Sequence, residues 1–170
     1  VPSDEARAQM MAQVRRELTA ADPTAAGRGM VVLPDQSQAS AAMTLALSRL
    51  GFQVETIDDL TEAFHFLEQG VFTIVAASRA APPQVKGGET FYQRLNRMSP
   101  EARRRVFVCL VGTELKTGDA TQAFALQADL VLAPKDLAGA DGLIRATLGE
   151  RNRLYRAFLD VLERREHAPV

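Results

Sequence analysis

Tryptophan is absent, cysteine occurs once, and there are two histidines and two tyrosines. A single cysteine excludes a disulfide framework within the chain and favours a cytoplasmic setting. One Cys and two His cannot build a zinc ribbon, and they form no cluster with metal-ligand spacing, so no metal is expected. Cys109 falls inside an apolar strand pattern and reads as a buried structural thiol rather than a reactive one. Long apolar runs are missing too. None approaches the roughly 20 residues of a membrane span, and no membrane association is expected. The N-terminus is acidic and polar without an apolar core, so no secretory leader is expected. Starting at Val1, the chain is expected to be a piece of a longer protein. Charge of one sign is also lacking: 20 Lys and Arg against 21 Asp and Glu leave a net charge of −1. No global field draws in nucleic acid or an anionic surface.

What is present is a set of short apolar runs. The central one is Val71–Arg79, VFTIVAASR, entered from Gly70 and left through a Pro-rich loop. With β-branched residues and no polar alternation, it predicts a strand buried on both faces. Similar runs occur at Met30–Leu33 and Val106–Val111, with shorter ones at Phe52–Ile57 and Leu130–Leu132. Helical patterns separate them: about Gln38 to Leu50, Asp58 or Asp59 to Gln69, Glu89–Met98, a short turn from Ser99, and a helix capped by Asp119. Strands alternating with helices predict an α/β domain with a parallel sheet covered on both sides. Chemistry in such a sheet sits at the carboxyl ends of its middle strands, here after Leu33, Ala77 and Leu110.

Two helices lie outside this alternation. Ser3, Asp4 and Glu5 start the first, with Ala6, Met10, Val14 and Leu18 along one apolar side. A linker, Ala20–Gly27, follows. The last helix, from about Asp141 to Glu166, is twice the roughly 12 residues that a sheet crossing needs, about 18 Å at 1.5 Å per residue. Beyond Gly149 its apolar face continues through Leu154, Tyr155, Phe158, Leu159 and Leu162, interleaved with arginines. Such a face needs a cover, either another molecule or the first helix of the same chain. The organisation is thus 1–27 (helix and linker), 28–148 (domain) and 149–170 (helix extension).

Five βα units of this length resemble the receiver domain of response regulators, over about Arg28 to Leu148. Gly51-Phe52-Gln53-Val54 is similar to the family's Gly-aromatic-x-Val second strand. Ala128-Asp129-Leu130-Val131-Leu132-Ala133-Pro134 is similar to its Ala-Asp…Lys-Pro segment, and Gly88 with the following helix matches the region after the third strand. The resemblance implies a three-layer flavodoxin-like (βα)5 fold with strand order 2-1-3-4-5, carrying here an N-terminal helix and an extended C-terminal helix. Receivers hold Mg²⁺ with an acidic pair after strand one and accept a phosphoryl group on an Asp after strand three. A Thr or Ser after strand four and a Lys after strand five respond to it. Laid on this chain, the acidic pair becomes Pro34 and Asp35, the acceptor Ser78, the Thr or Ser Val111, and the Lys Ala133. Asp35 alone keeps the family's chemistry. Pro34 has no ligand atom, Ser78 has no histidine near it in sequence to activate it, Val111 cannot hydrogen-bond a phosphoryl oxygen, and Ala133 is uncharged. Lys135 either swings back into the pocket or caps carbonyls on the solvent side. Narrower segments, Met98–Gly112, Gln122–Leu126, Pro134–Leu137 and Arg153–Phe158, resemble uncharacterised bacterial proteins that pair a zinc ribbon with a receiver-like domain.

Other candidates read as structure. His65, between two phenylalanines, is a surface or half-buried side chain rather than a ligand. Gly87-Gly88 fits neither G-x-G-x-x-G nor G-x-x-x-x-G-K-[ST]. Arg94, Arg97 and Arg103-Arg104-Arg105 make a basic patch balanced by Glu89 and Glu101, with too few aromatic residues for nucleic-acid stacking. The expectation is a bacterial, two-component-like pseudo-receiver. It is not an enzyme, needs no cofactor, and acts by dimerisation or docking through Leu154, Tyr155, Phe158 and Leu162. One alternative is a small-anion or nucleotide sensor using Arg79, Lys86 and Lys135 beside the sheet-end pocket. Another is an atypical phosphorylated receiver.

Overall fold

The five apolar runs pair as strands of one parallel sheet: β1 (Arg28–Val32), β2 (Gln53–Thr56), β3 (Ile74–Ala77), β4 (Phe107–Val111) and β5 (Leu130–Leu132). Their order is β2-β1-β3-β4-β5. The helices are α1 (Asp4–Ala20), α2 (Ser37–Arg49), α3 (Leu60–Gln69), α4 (Phe91–Asn96), α5 (Pro100–Arg104), α6 (Ala120–Ala125) and α7 (Ala140–Glu166). The structure is a computed structural model that describes residues 3–20, 27–34, 36–79 and 89–166, without the side chains at 14–20, 155, 159, 162, 163 and 166. Asp35, Lys86, Gly87-Gly88 and the linker 21–26 therefore lie outside the described residues, as do the side chains of Tyr155 and Leu162.

Every residue of β3, β4 and β5 is buried, as unalternated apolar strands require when helices cover both faces. On one face, Met43 and Leu47 of α2 and Ile144 and Leu148 of α7 pack with Val31, Ile74, Cys109 and Leu132. On the other, Ala63 and Leu67 of α3 and Phe91 and Leu95 of α4 pack with Met30, Val75, Val108 and Val131. Each of the larger of these side chains (Val, Leu, Ile, Phe or Met) contributes roughly 1.5–3 kcal/mol by leaving water. That is why the sheet-facing pattern of the sequence translates so directly into layers.

The helix boundaries follow local chemistry. Asp59 accepts bonds from the amides of Thr61 and Glu62, capping α3, and Gly70 closes that helix at φ +66°, a left-handed conformation that glycine adopts without a Cβ penalty. The helix expected over Glu89–Met98 is shorter, Phe91–Asn96. Thr90 and Gln93 form a reciprocal capping box that starts it at Phe91. The strand expected over Val71–Arg79 is likewise confined to Ile74–Ala77, the stretch that has partners on both β1 and β4. Val71 is exposed, and Ser78 and Arg79 have already left the sheet.

On α1 the apolar side is exposed at Ala6 and Met10, and Arg7 and Met11 are half-buried. The half-buried side lies one residue on from the apolar stripe, about 100° around a helix of 3.6 residues per turn. α1 lies beside α7. Val14 and Leu18 fall outside the described side chains.

Candidate functional site

Strand register decides what stands at the carboxyl edge of the sheet. Val32 pairs with Ala77, Ala77 with Leu110, and Val111 with Leu132. Leu33, Ser78 and Val111 therefore lie level across three neighbouring strands, with Pro34 and Ala133 one step beyond. The structure thus brings Pro34, Ser78, Val111 and Ala133 together at one edge, as the sequence reading requires. Their states differ. Pro34 and Ser78 are half-buried. Val111 and Ala133 are buried, and Val111 belongs to the core under α2 and α7 rather than to an open pocket.

Two charged side chains meet at this edge. Arg79, the residue after Ser78, places Nη1 3.8 Å from Oε1 of Glu114, in the loop after β4. Its guanidinium also lies 5.8 Å from the ring centroid of Tyr92 on α4, within reach of a cation–π contact. The Glu114 carboxylate lies against Gly112, where a Cβ would meet Oε2 at 2.6 Å. An ion pair internal to the chain thus links the ends of β3 and β4. Both partners are part-exposed, so the pair is worth little stability, about 0–1 kcal/mol.

A second tie joins the loops after β4 and β5. The amide of Ala133 donates to Thr117 Oγ1 at 2.9 Å, and Thr117 donates to Asp136 Oδ2 at 2.6 Å. Ala133 thus contributes its backbone N–H, not a side chain, at the position where the resemblance expects a lysine. Lys135 is exposed in the turn formed by Pro134–Asp136. Glu114, Thr117 and Tyr92 went unrecognised in the sequence. The charge of Glu114 so soon after an apolar strand was the one visible signal.

A hydroxyl-lined groove of about 1070 Å³ opens to one side, between α2 and the turn into α3. Pro34, Ser40, Thr44, Thr56 and Asp59 line it, and Ser78 does not. Asp59 in this groove is already engaged as the α3 cap. The other candidates resolve into structure. His65 is exposed and hydrogen-bonded with Gln69 at 3.0 Å. Arg94 and Arg97 pair with Glu89, Arg105 with Glu101, and Arg103 with Asp129. Asp129 in turn accepts from the amide of Val108 at 2.8 Å. No cluster of three His, Cys, Asp or Glu suited to a metal occurs among the described residues, and no described helix is long and apolar enough to cross a membrane. Burial pushes the Cys109 thiol well above its ordinary range, with the charge of Asp129 adding to the effect, so its reactive thiolate is suppressed.

No protein-family model matches the chain, and no curated protein matches it in sequence. Solved structures do. A response regulator from Desulfuromonas acetoxidans superposes with a TM-score of 0.53 at 17% identity, covering 72% of this chain and 97% of that one. A signal receiver domain from Vibrio parahaemolyticus superposes with a TM-score of 0.54 at 12% identity, covering 78% and 97%. At these identities the likeness shows the fold. The chain carries the flavodoxin-like fold of receiver domains, with the 2-1-3-4-5 parallel sheet and helices on both faces.

Proposed function

We propose that this chain is a receiver-like signalling domain that does not take up a phosphoryl group and works through contacts with protein. The supporting observation is the row at the sheet edge. Ser78 and Val111 stand level at the ends of their strands, with Pro34 and Ala133 one residue beyond, and none of the four supplies a metal-binding carboxylate, an acidic acceptor or a cation. Beside them Arg79 faces Glu114 of the same chain, so the cation next to the vacated acceptor position already has an anion.

The contact side of the proposal draws on exposed apolar residues. Phe124 on α6 is 87% exposed, and Leu154, Phe158 and Val161 on α7 are 73%, 59% and 52% exposed. They lie on the helix before β5 and the helix after it, the side through which the resemblance implies that receivers signal. Leu154, Phe158 and Val161 lie along one side of one helix, and exposed apolar residues gathered in this way mark an interaction surface more often than scattered single ones do. Aromatic anchors such as Phe158 are the expected energetic centres of such a surface.

The test is thermal unfolding of the whole chain with Mg²⁺ and beryllofluoride, a phosphoryl mimic. A ligand that binds only the folded state raises the melting temperature, so a flat response is expected. A rise of several degrees, lost on Asp35→Asn, overturns the proposal in favour of an atypical phosphorylated receiver. A rise with inorganic phosphate or nucleotide alone, lost on Arg79→Ala, overturns it in favour of an anion sensor.

A further inference from the structure

Leu154, Ala157, Phe158 and Val161 stand at i, i+3, i+4 and i+7 on α7, the spacing of a seam along one side of a helix. All four are exposed. The same side continues one turn in each direction, to Glu150 and to Arg165, which are also exposed. The stripe is therefore apolar in its middle, acidic at one end and basic at the other. It spans about 22 Å at 1.5 Å per residue.

We propose that this stripe pairs antiparallel with the same stripe of a second copy of the chain, about a two-fold axis midway between Ala157 and Phe158. The inference rests on the protein-contact reading above and names the partner. Such an axis sets Leu154 opposite the partner's Val161, Ala157 opposite the partner's Phe158, and Glu150 opposite the partner's Arg165. A large ring meets a small residue twice, and unlike charges meet at both ends. Parallel pairing would instead bring Glu150 to Glu150 and Arg165 to Arg165, and charges flanking a helical seam select orientation in this way. The one like-charged pair at equal height in the antiparallel arrangement is Arg151 with the partner's Arg164. Arg151 is held on its own domain: its guanidinium donates to the carbonyl of Arg104 and lies 5.8 Å from the Phe107 ring centroid. An isologous contact of this kind closes at two copies and builds no filament.

The experiment is light scattering of the full chain over a concentration series at low salt. A monomer–dimer equilibrium is expected, with Phe158→Asp monomeric at an unchanged melting temperature. Glu150→Arg and Arg165→Glu, made singly, each place like charges at both ends and weaken the dimer roughly three- to tenfold. Made together they exchange the charges and restore it. A full chain that stays monomeric at millimolar concentration overturns the inference, as does a dimer indifferent to Phe158→Asp. Charge reversals that fail to compensate overturn the antiparallel register. The phosphoryl-mimic titration is independent of this series. A monomer with a flat titration removes the pairing and leaves the proposed function, and a rise in melting temperature removes the proposed function whatever the mass.

Discussion

α7 is one unbroken helix of 27 residues with two unlike halves. In the first half Ile144 and Leu148 are fully buried against the sheet, and Asn152 is the last buried residue. From Leu154 onward the described side chains are exposed, apolar ones included. Both halves are amphipathic and both look alike in the sequence. The first half faces β4, β5 and α2, whereas in the second half Leu154, Ala157, Phe158 and Val161 are exposed. Helical pattern therefore reports that a face wants cover. It does not report whether the molecule itself supplies the cover.

Substitutions along the helix break this comparison at different points. The largest effect belongs to the stem. Ile144→Ala removes methylenes from a fully buried site and is expected to cost roughly 2–5 kcal/mol, part transfer and part cavity. Chemical denaturation measures it. Labelling of Cys109, which shares that core, should accelerate in proportion to the lost stability, about tenfold per 1.4 kcal/mol.

Cys109 gives a second, smaller effect. Its thiol is pushed up in the folded state, so above the ordinary thiol pKa, about 8.5, the unfolded chain loses a proton that the folded chain keeps. Unfolding is then favoured, and this group's contribution to stability falls by up to about 1.4 kcal/mol per pH unit as pH rises. Cys109→Ala should flatten the alkaline slope of stability against pH. An unchanged slope would show that the thiol does not carry it.

At the boundary between the halves, Arg151→Ala removes the tie to the Arg104 carbonyl and the contact with the Phe107 ring. A loss of about 1 kcal/mol is expected, together with faster amide exchange in the last turns of α7 but not in its first ones. The smallest stability effect is on the projecting half. Leu154→Ala should change unfolding free energy by no more than about 0.5 kcal/mol and leave Cys109 labelling as it was, while weakening self-association. A loss at Leu154 as large as that at Ile144 would mean that the two halves share one cover after all.

The sheet-end row was legible in the sequence for the same reason that the stem of α7 was. Buried parallel strands read as continuous apolar runs, and the residue that ends each run is marked by a change of chemistry: Pro34, Ser78, Gly112 and Ala133-Pro134. What stands around that row was not legible. Glu114 reaches Arg79 from 35 positions away in the chain, and Thr117 clips Asp136 across the sheet edge. Such pairs depend on loop paths that no local periodicity encodes. The α1 stripe shows another limit. Its spacing was visible, but Ala6 and Met10 are exposed, and an apolar stripe does not say what covers it.

By itself the sequence determined the strand–helix alternation, the helix ends at Gly70 and Asp119, the burial of Cys109 and the residue types at the strand ends. These are properties of short windows, set by hydrophobic period, backbone freedom and the atoms a side chain owns. Only the tertiary structure decided which end residues stand level across the sheet, that Asp59 rather than Asp58 caps α3, that Arg79 meets Glu114, and that Leu154, Phe158 and Val161 of α7 are exposed. Those depend on how separate segments pack together, and the free energy of that packing resides in no single segment.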